Sequence, residues 1–264
     1  FAALAVGALP TLLTILKASE DQWVRKNACE ALIQIGPVAA AHLLRELTGQ
    51  QISAETTRDI LRVLGEIKSN ELKVPLMEVL KRYTSHENPK LKEQALHTLC
   101  QIGGSEGEEI FLSSLSDPDL DVQKRAIWCL GMIKSSRGVE KMTEMLKQIS
   151  ATPSPHLEKL ETQIYYAFGF SGNLLMEGKT LEQILIEAIE KRGPKGFLGL
   201  LQKNPLSDTS LMAICDTLGK VGTNESVKVL TKLEKSVKDP LLQKVKEALK
   251  KIEERTAITT RKEK

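Results

Sequence analysis

Aromatic residues are scarce, at 4% of 264 residues, and only four cysteines occur, Cys29, Cys100, Cys129 and Cys215, with no Cys-x-x-Cys among them. So few aromatics is low for a β-sandwich or barrel and ordinary for a helical array. Widely spread cysteines fit reduced thiols in an intracellular, cytoplasmic protein better than a disulfide framework. Charge of one sign is also lacking: 37 Lys+Arg face 34 Asp+Glu, a net +3, too mild to imply nucleic acid or an anionic membrane. Long hydrophobic runs are missing too. Residues 1–16 carry no charge, but Gly7 and Pro10 interrupt them, and a span needs roughly 18 to 20 apolar residues. The chain opens on Phe1 rather than Met, with no basic segment leading to a cleavage site, which points to a region of a larger protein. What is present is enough apolar material, 41%, to build a core.

One seven-residue phrase recurs along the chain. It appears as Ala31-Leu-Ile-Gln-Ile-Gly-Pro37, Val63-Leu-Gly-Glu-Ile-Lys-Ser69, Thr98-Leu-Cys-Gln-Ile-Gly-Gly104 and Cys129-Leu-Gly-Met-Ile-Lys-Ser135, with weaker copies from Ala167, Thr217 and Ala248. Its second position, an anchor, is Leu32, Leu64, Leu99, Leu130, Phe168, Leu218 and Leu249, at spacings of 32, 35, 31, 38, 50 and 31. Four residues before each anchor stands an apolar residue: Ala28, Ile60, Ala95, Ala126, Ile164, Ile214 and Val245. Eight before, Val24, Leu91, Val122, Leu160 and Leu241 extend the stripe, while Thr56 and Ser210 weaken it. Spacings of four and eight keep one face of an α-helix apolar. Small residues inside the phrase let neighbouring helices approach closely. A second apolar helix precedes each of these, so the unit is a helix pair that buries its stripe only by stacking on its neighbours. The expected fold is an all-α solenoid of about seven pairs in one right-handed superhelix, with at least 13 helices, no convincing strand and buried, reduced cysteines.

The stretch Asn88-Pro-Lys-Leu-Lys-Glu-Gln-Ala-Leu-His-Thr-Leu-Cys-Gln-Ile-Gly103 resembles the second helix of a HEAT repeat, as do Trp23-Val-Arg-Lys-Asn-Ala28 and Asp121-Val-Gln-Lys-Arg-Ala126. The short period resembles the bacterial HEAT-like subtype also found in phycobilin lyases. The resemblance implies repeats at about 8–36, 37–68, 70–104, 106–135, 137–172, 194–222 and 224–254. A helical insertion at 173–193 and a flexible tail at 255–264 complete the chain. The basic slot of the family is filled by Arg25 and Lys92 but not by Gln123, Glu161 or Leu211.

Motifs for chemistry are sparse. Gly172 to Thr180 has five residues between its glycines, three of them bulky and apolar, and no preceding strand. It therefore reads as a loop with Thr180 capping a helix rather than as a phosphate cradle. His86-Glu87 is similar to the iron-binding pairs of HEAT-repeat deoxyhypusine hydroxylases. One pair cannot supply four or more ligands, and His42, His97 and His156 have no neighbouring glutamate. No HExxH or GxSxG occurs. No catalytic residue, metal or cofactor is expected.

The informative positions lie two and six residues before the anchors, which in such repeats line the concave face. The first two repeats carry Lys26 and Glu30, then Arg58 and Arg62; later ones carry Glu93 and His97, Lys124 and Trp128, Thr162 and Tyr166. Two residues after the anchor, Met132 and Phe170 continue the apolar character. Arg58, Arg62, His97, Lys124, Trp128, Met132, Tyr166 and Phe170 thus compose a candidate binding groove for a protein partner. The alternative is that Trp128 and Tyr166 fill gaps between misaligned repeats. Residues 225–264 hold twelve Lys/Arg against seven Asp/Glu, but interleaved glutamates suit a solvated helix and nucleic acid is not the expected partner. The leading reading is a non-enzymatic scaffold or adaptor. A chromophore-lyase-type subunit and a DNA-binding HEAT protein of the alkylpurine glycosylase kind stand as alternatives.

Overall fold

The computed structural model describes residues 2–49, 52–152, 154–172, 174–176, 178–194 and 204–262. The chain packs as two compact units, Phe1–Cys129 and Leu130–Lys264. The first holds helix pairs α1 (Ala2–Ala18) with α2 (Gln22–Ile35), α3 (Pro37–Gly49) with α4 (Ala54–Ile67), and α5 (Lys73–Thr84) with α6 (Pro89–Gly103). A 3-10 turn, Gly104–Gly107, leads into α7 (Glu108–Ser114) and then α8 (Leu120–Met132), which carries the chain into the second unit. There follow α9 (Ser136–Ala151) with α10 (Pro155–Ser171), α11 (Leu181–Arg192), α12 (Asp208–Val221), and α13 (Asn224–Glu234) with α14 (Leu241–Lys262). Fourteen α-helices among the described residues define an all-α solenoid.

Local chemistry sets the helix starts. Side-chain oxygens of Asp21, Ser53, Asn88, Ser135, Ser154, Thr180, Ser207 and Thr223 each accept a backbone N–H in the first turn of the helix that follows. The stripes face inward. Six of the seven anchors are buried, Leu249 half-buried, and every residue four before an anchor is buried. Thr56 and Ser210, polar where the stripe calls for apolar residues, are buried but satisfied: Thr56 donates to Leu16 O at 3.3 Å and Ser210 Oγ meets Thr162 Oγ1 at 3.0 Å.

Neighbouring second helices touch at a fixed register. The residue after one anchor lies against the residue before the next. In the first unit a Cβ on Gly65 would sit 3.3 Å from Thr98 Oγ1. In the second, one on Gly131 would meet Ala167 O at 2.8 Å, one on Gly169 would meet Thr217 Oγ1 at 3.2 Å, and one on Gly219 would meet Ala248 Cα at 3.3 Å. Hydroxyl and thiol groups at the same position bond back across the contact. Thr98 Oγ1 donates to Leu61 O at 2.9 Å, Cys129 Sγ to Leu96 O at 3.6 Å and Thr217 Oγ1 to Tyr165 O at 2.7 Å.

Three expectations change. The helix assigned to an insertion, α11, packs against α12 and α13. Those are the two neighbours of a first helix, as with α1 against α2 and α3, or α3 against α4 and α5. The extra length of this repeat therefore falls after it, in 193–207, and the Gly193–Gly196 turn lies partly outside the described residues. Residues 255–262 continue α14 rather than forming a flexible tail, because Arg255 is anchored: it donates to Gly219 O at 2.8 Å, Lys220 O at 2.6 Å and Gly222 O. A two-residue hairpin, β1 (Leu175–Met176) with β2 (Lys179–Thr180), pairs Leu175 with Thr180 and Met176 with Lys179. Gly178 supplies the φ of 79° that its turn requires.

Candidate partner-binding surface

In the first unit, α6 and α8 build an aromatic cluster. His97 and Trp128 meet edge to face, ring centroids 5.4 Å apart at 62°. The guanidinium of Arg125 lies 5.4 Å from the Trp128 ring centroid and is held there by Glu93, which accepts from Arg125 Nε at 3.1 Å and Nη2 at 2.6 Å. His97 and Trp128 are both half-buried. Burial, and next the charge of Arg125, hold the His97 imidazole below its ordinary pKa, so the neutral ring is favoured. Lys124, also half-buried, pairs with Asp121 at 2.5 Å.

Arg58 and Arg62 lie elsewhere in that unit, lining a cavity of about 790 Å³ with Trp23, Arg25, Lys26 and Asp59. Arg25 is the buried element: its Nη2 reaches Asp59 Oδ2 at 2.6 Å, its Nε the same oxygen at 3.1 Å, and its Nη1 Leu16 O at 2.9 Å. Arg62 adds a longer pairing to Asp59 at 4.0 Å. Asp59 thus joins α4 to α2 through Arg25, the residue in the family's basic slot. Lys92 does the same with Asp117 at 2.6 Å.

Trp23, 73% exposed, is a surface residue the sequence reading passed over. The signal was available. Nine residues before Leu32 is 900° of helix, half a turn from the anchor, on the side that faces away from the buried stripe.

The second unit places Met132, Tyr166 and Phe170 in the open, at 43%, 36% and 37% exposure. Gly131 abuts Ala167, so Met132 and Tyr166 flank the line where α8 and α10 come closest. Phe170, one turn beyond Tyr166, is covered on one side by Lys220 Nζ at 5.3 Å from its ring centroid. Lys220 and Lys251 both pair with Asp216, at 2.8 and 3.2 Å, and hold its carboxyl below the ordinary range against the raising effect of burial. The result is an apolar strip with a charged rim.

The empty basic slot at Glu161 is also explained. Glu161 is 2% exposed and receives Arg192 of α11 through Nη1 and, at 3.3 Å, Nη2, together with the Tyr165 hydroxyl at 3.2 Å. Arg192 further donates to Ser150 Oγ at 2.9 Å and Asn204 O at 2.8 Å. The rung is reversed in sign rather than lost. Glu182 of α11 likewise caps α13, accepting from Thr223 N at 2.6 Å and Ser226 Oγ at 2.6 Å.

Among the described residues no group of three or more His, Cys, Asp or Glu is placed to hold a metal ion. No helix among them is long and apolar enough to cross a membrane. His86 Nδ1 accepts from Asn88 N at 2.9 Å, where α6 begins.

Helix pairs whose second helices meet at a constant register within each unit define an α-helical repeat protein. The family model for HEAT repeats matches residues 9–82 and 75–153, more than half the chain, and the protein belongs to the HEAT-repeat family. Comparison with curated protein sequences finds no match. Among solved structures the chain is similar to YibA of Escherichia coli, at 15% identity and a TM-score of 0.52, covering 94% of this chain and 82% of that one. It also matches human deoxyhypusine hydroxylase in complex with glycerol, at 14% identity and a TM-score of 0.40, covering 96% and 98%. An engineered protein matches at 19% identity and a TM-score of 0.38, covering 93% and 96%. The likeness to YibA bears on the fold alone.

Proposed function

We propose that this protein is a scaffold or adaptor that binds a protein partner on the outward face of its second helices and performs no reaction of its own. One observation carries the reading. Of the seven large apolar side chains exposed among the described residues, three are Met132, Tyr166 and Phe170, placed two residues either side of an anchor. Leaving such a side chain in water is unfavourable by roughly 1 to 3 kcal/mol, which a partner covering it recovers. Tyr, Phe and Met with a Lys rim also have the composition of an interface centre. In the first unit Trp128, His97 and Arg125 form a second patch of the same character, with Arg58, Arg62 and Lys124 supplying positive charge for an acidic partner.

The test compares proteins captured from native lysate by the wild-type chain, by Tyr166→Ala/Phe170→Ala and by Trp128→Ala, each verified as folded by circular dichroism. Specific bands present with wild type and lost with a variant support the reading. Identical bands in all three would overturn it. Binding of a bilin with an apo-phycobiliprotein, or salt-dependent retention of duplex DNA, would instead favour a lyase-type or DNA-binding role.

A further inference from the structure

Cys100 and Cys129 occupy the one register position where this fold brings two second helices almost into backbone contact. Cys100 follows the anchor Leu99 and Cys129 precedes the anchor Leu130, the same pairing as Gly65 with Thr98, Gly131 with Ala167 and Gly219 with Ala248. Where the pair has been measured through a Cβ, it is close: 3.0 Å from Gly131 to Ala167 Cβ and 3.6 Å from Gly219 to Ala248 Cβ. A disulfide needs Cβ atoms about 3.5 to 4.5 Å apart. Each thiol already reaches a main-chain carbonyl of the other's helix. Cys100 Sγ lies 4.0 Å from Cys129 O, and Cys129 Sγ lies 3.6 Å from Leu96 O, one turn before Cys100. Both cysteines are free.

We propose that Cys100 and Cys129 form a reversible intramolecular disulfide on exposure to a peroxide, tying α6 to α8 directly beneath the His97–Trp128 cluster. The two thiols are unequal. Cys100 is half-buried, and its interaction with the Cys129 thiol, then the nearby Arg125 charge, lower its pKa against the effect of burial. Cys129 is buried, and desolvation first, then Cys100, pushes its thiol up. Cys100 is therefore the sulfur that peroxide reaches. Its thiolate attacks one peroxide oxygen, the O–O bond breaks, and the departing hydroxide takes up a proton to leave as water, giving a sulfenic acid. The Cys129 sulfur then attacks the Cys100 sulfur, the S–O bond breaks, and hydroxide leaves with the Cys129 proton as a second water. Two thiols and one peroxide become one disulfide and two waters, both electrons of the peroxide's reduction coming from the sulfurs. Cys29 and Cys215 have no such neighbour: both are buried, and burial raises their thiols to about 11 and about 12.

The experiment treats the whole chain with hydrogen peroxide, blocks remaining thiols after denaturation and digests with trypsin without reductant. Cleavage after lysine and arginine places Cys100 in peptide 93–124 and Cys129 in peptide 126–134. The expected result is a cross-linked pair of these peptides and loss of two of the four thiols, reversed by dithiothreitol. Cys29→Ser/Cys215→Ser leaves the linkage intact. Cys129→Ser instead accumulates a sulfenic acid at Cys100, trapped by dimedone, a readout that needs only a folded first unit. The inference is overturned if all four thiols persist, if the linkage joins two chains, or if Cys100 advances to sulfinic acid while Cys129 of the wild type stays free.

Discussion

Replacing Arg192 by methionine should be among the most damaging single changes in the second unit. The substitution keeps the length and apolar stem of the side chain and removes its guanidinium. Glu161, 2% exposed, would retain only the Tyr165 hydroxyl as donor. Stranding one charge of a buried pair costs about 3 to 5 kcal/mol, and the lost bonds to Ser150 and Asn204 add about 1 kcal/mol each. A combined loss of about 5 to 7 kcal/mol is a large share of the roughly 5 to 15 kcal/mol available to a domain. With a urea slope of about 2 kcal/mol per molar, the unfolding midpoint should drop by about 3 M.

A companion variant, Glu161→Gln/Arg192→Gln, removes both charges and should recover most of the loss, since neutral replacement of a buried pair is often close to neutral. A loss under about 1 kcal/mol, the size of a surface pair, would refute the view that α11 is held by this rung.

Glycine substitutions at the repeat contact should separate by what the new methyl meets. Gly131→Ala meets Ala167 backbone at 2.8 and 3.1 Å and should lose about 1 to 3 kcal/mol in urea unfolding despite alanine's better helix propensity. Gly65→Ala meets the movable end of Gln101 at 2.2 Å and should fall within about 1 kcal/mol of wild type. Tyr166→Ala, at an exposed position, should change stability by no more than about 0.5 kcal/mol, and a larger loss by thermal melting would mean the ring is structural. The His97 imidazole should titrate by NMR below about 6.5. Because its folded value is depressed, its contribution to stability is full above that pH and is lost as pH falls toward the folded value.

The anchors and the residues four before them were legible because a helix repeats its face every three or four residues, and all seven positions at minus four are buried. The positions two before the anchors, singled out in the sequence, include His97 and Trp128, whose rings meet edge to face. What stayed hidden depends on partners distant in sequence. Glu161 looks like a fault in a basic slot until Arg192, 31 residues on, is seen to complete it. Helix α11 looked like an insertion because the 50-residue spacing does not say on which side of it the extra residues fall. Residues 255–262 looked like a tail because they lack an apolar stripe, while the group that holds their start is a guanidinium bonded to main-chain carbonyls.

Arg255 has a further consequence, in the order of synthesis. The carbonyls of Gly219 and Gly222 end α12 and its cap, and their partner lies 36 and 33 residues later. At about 5 to 20 residues per second on the ribosome, α12 waits roughly 2 to 7 s for that partner. Until then those carbonyls lack the guanidinium that binds them in the finished fold. Helix α14 is thus also the one that finishes α12, and these two pairs of the second unit mature together rather than one after the other.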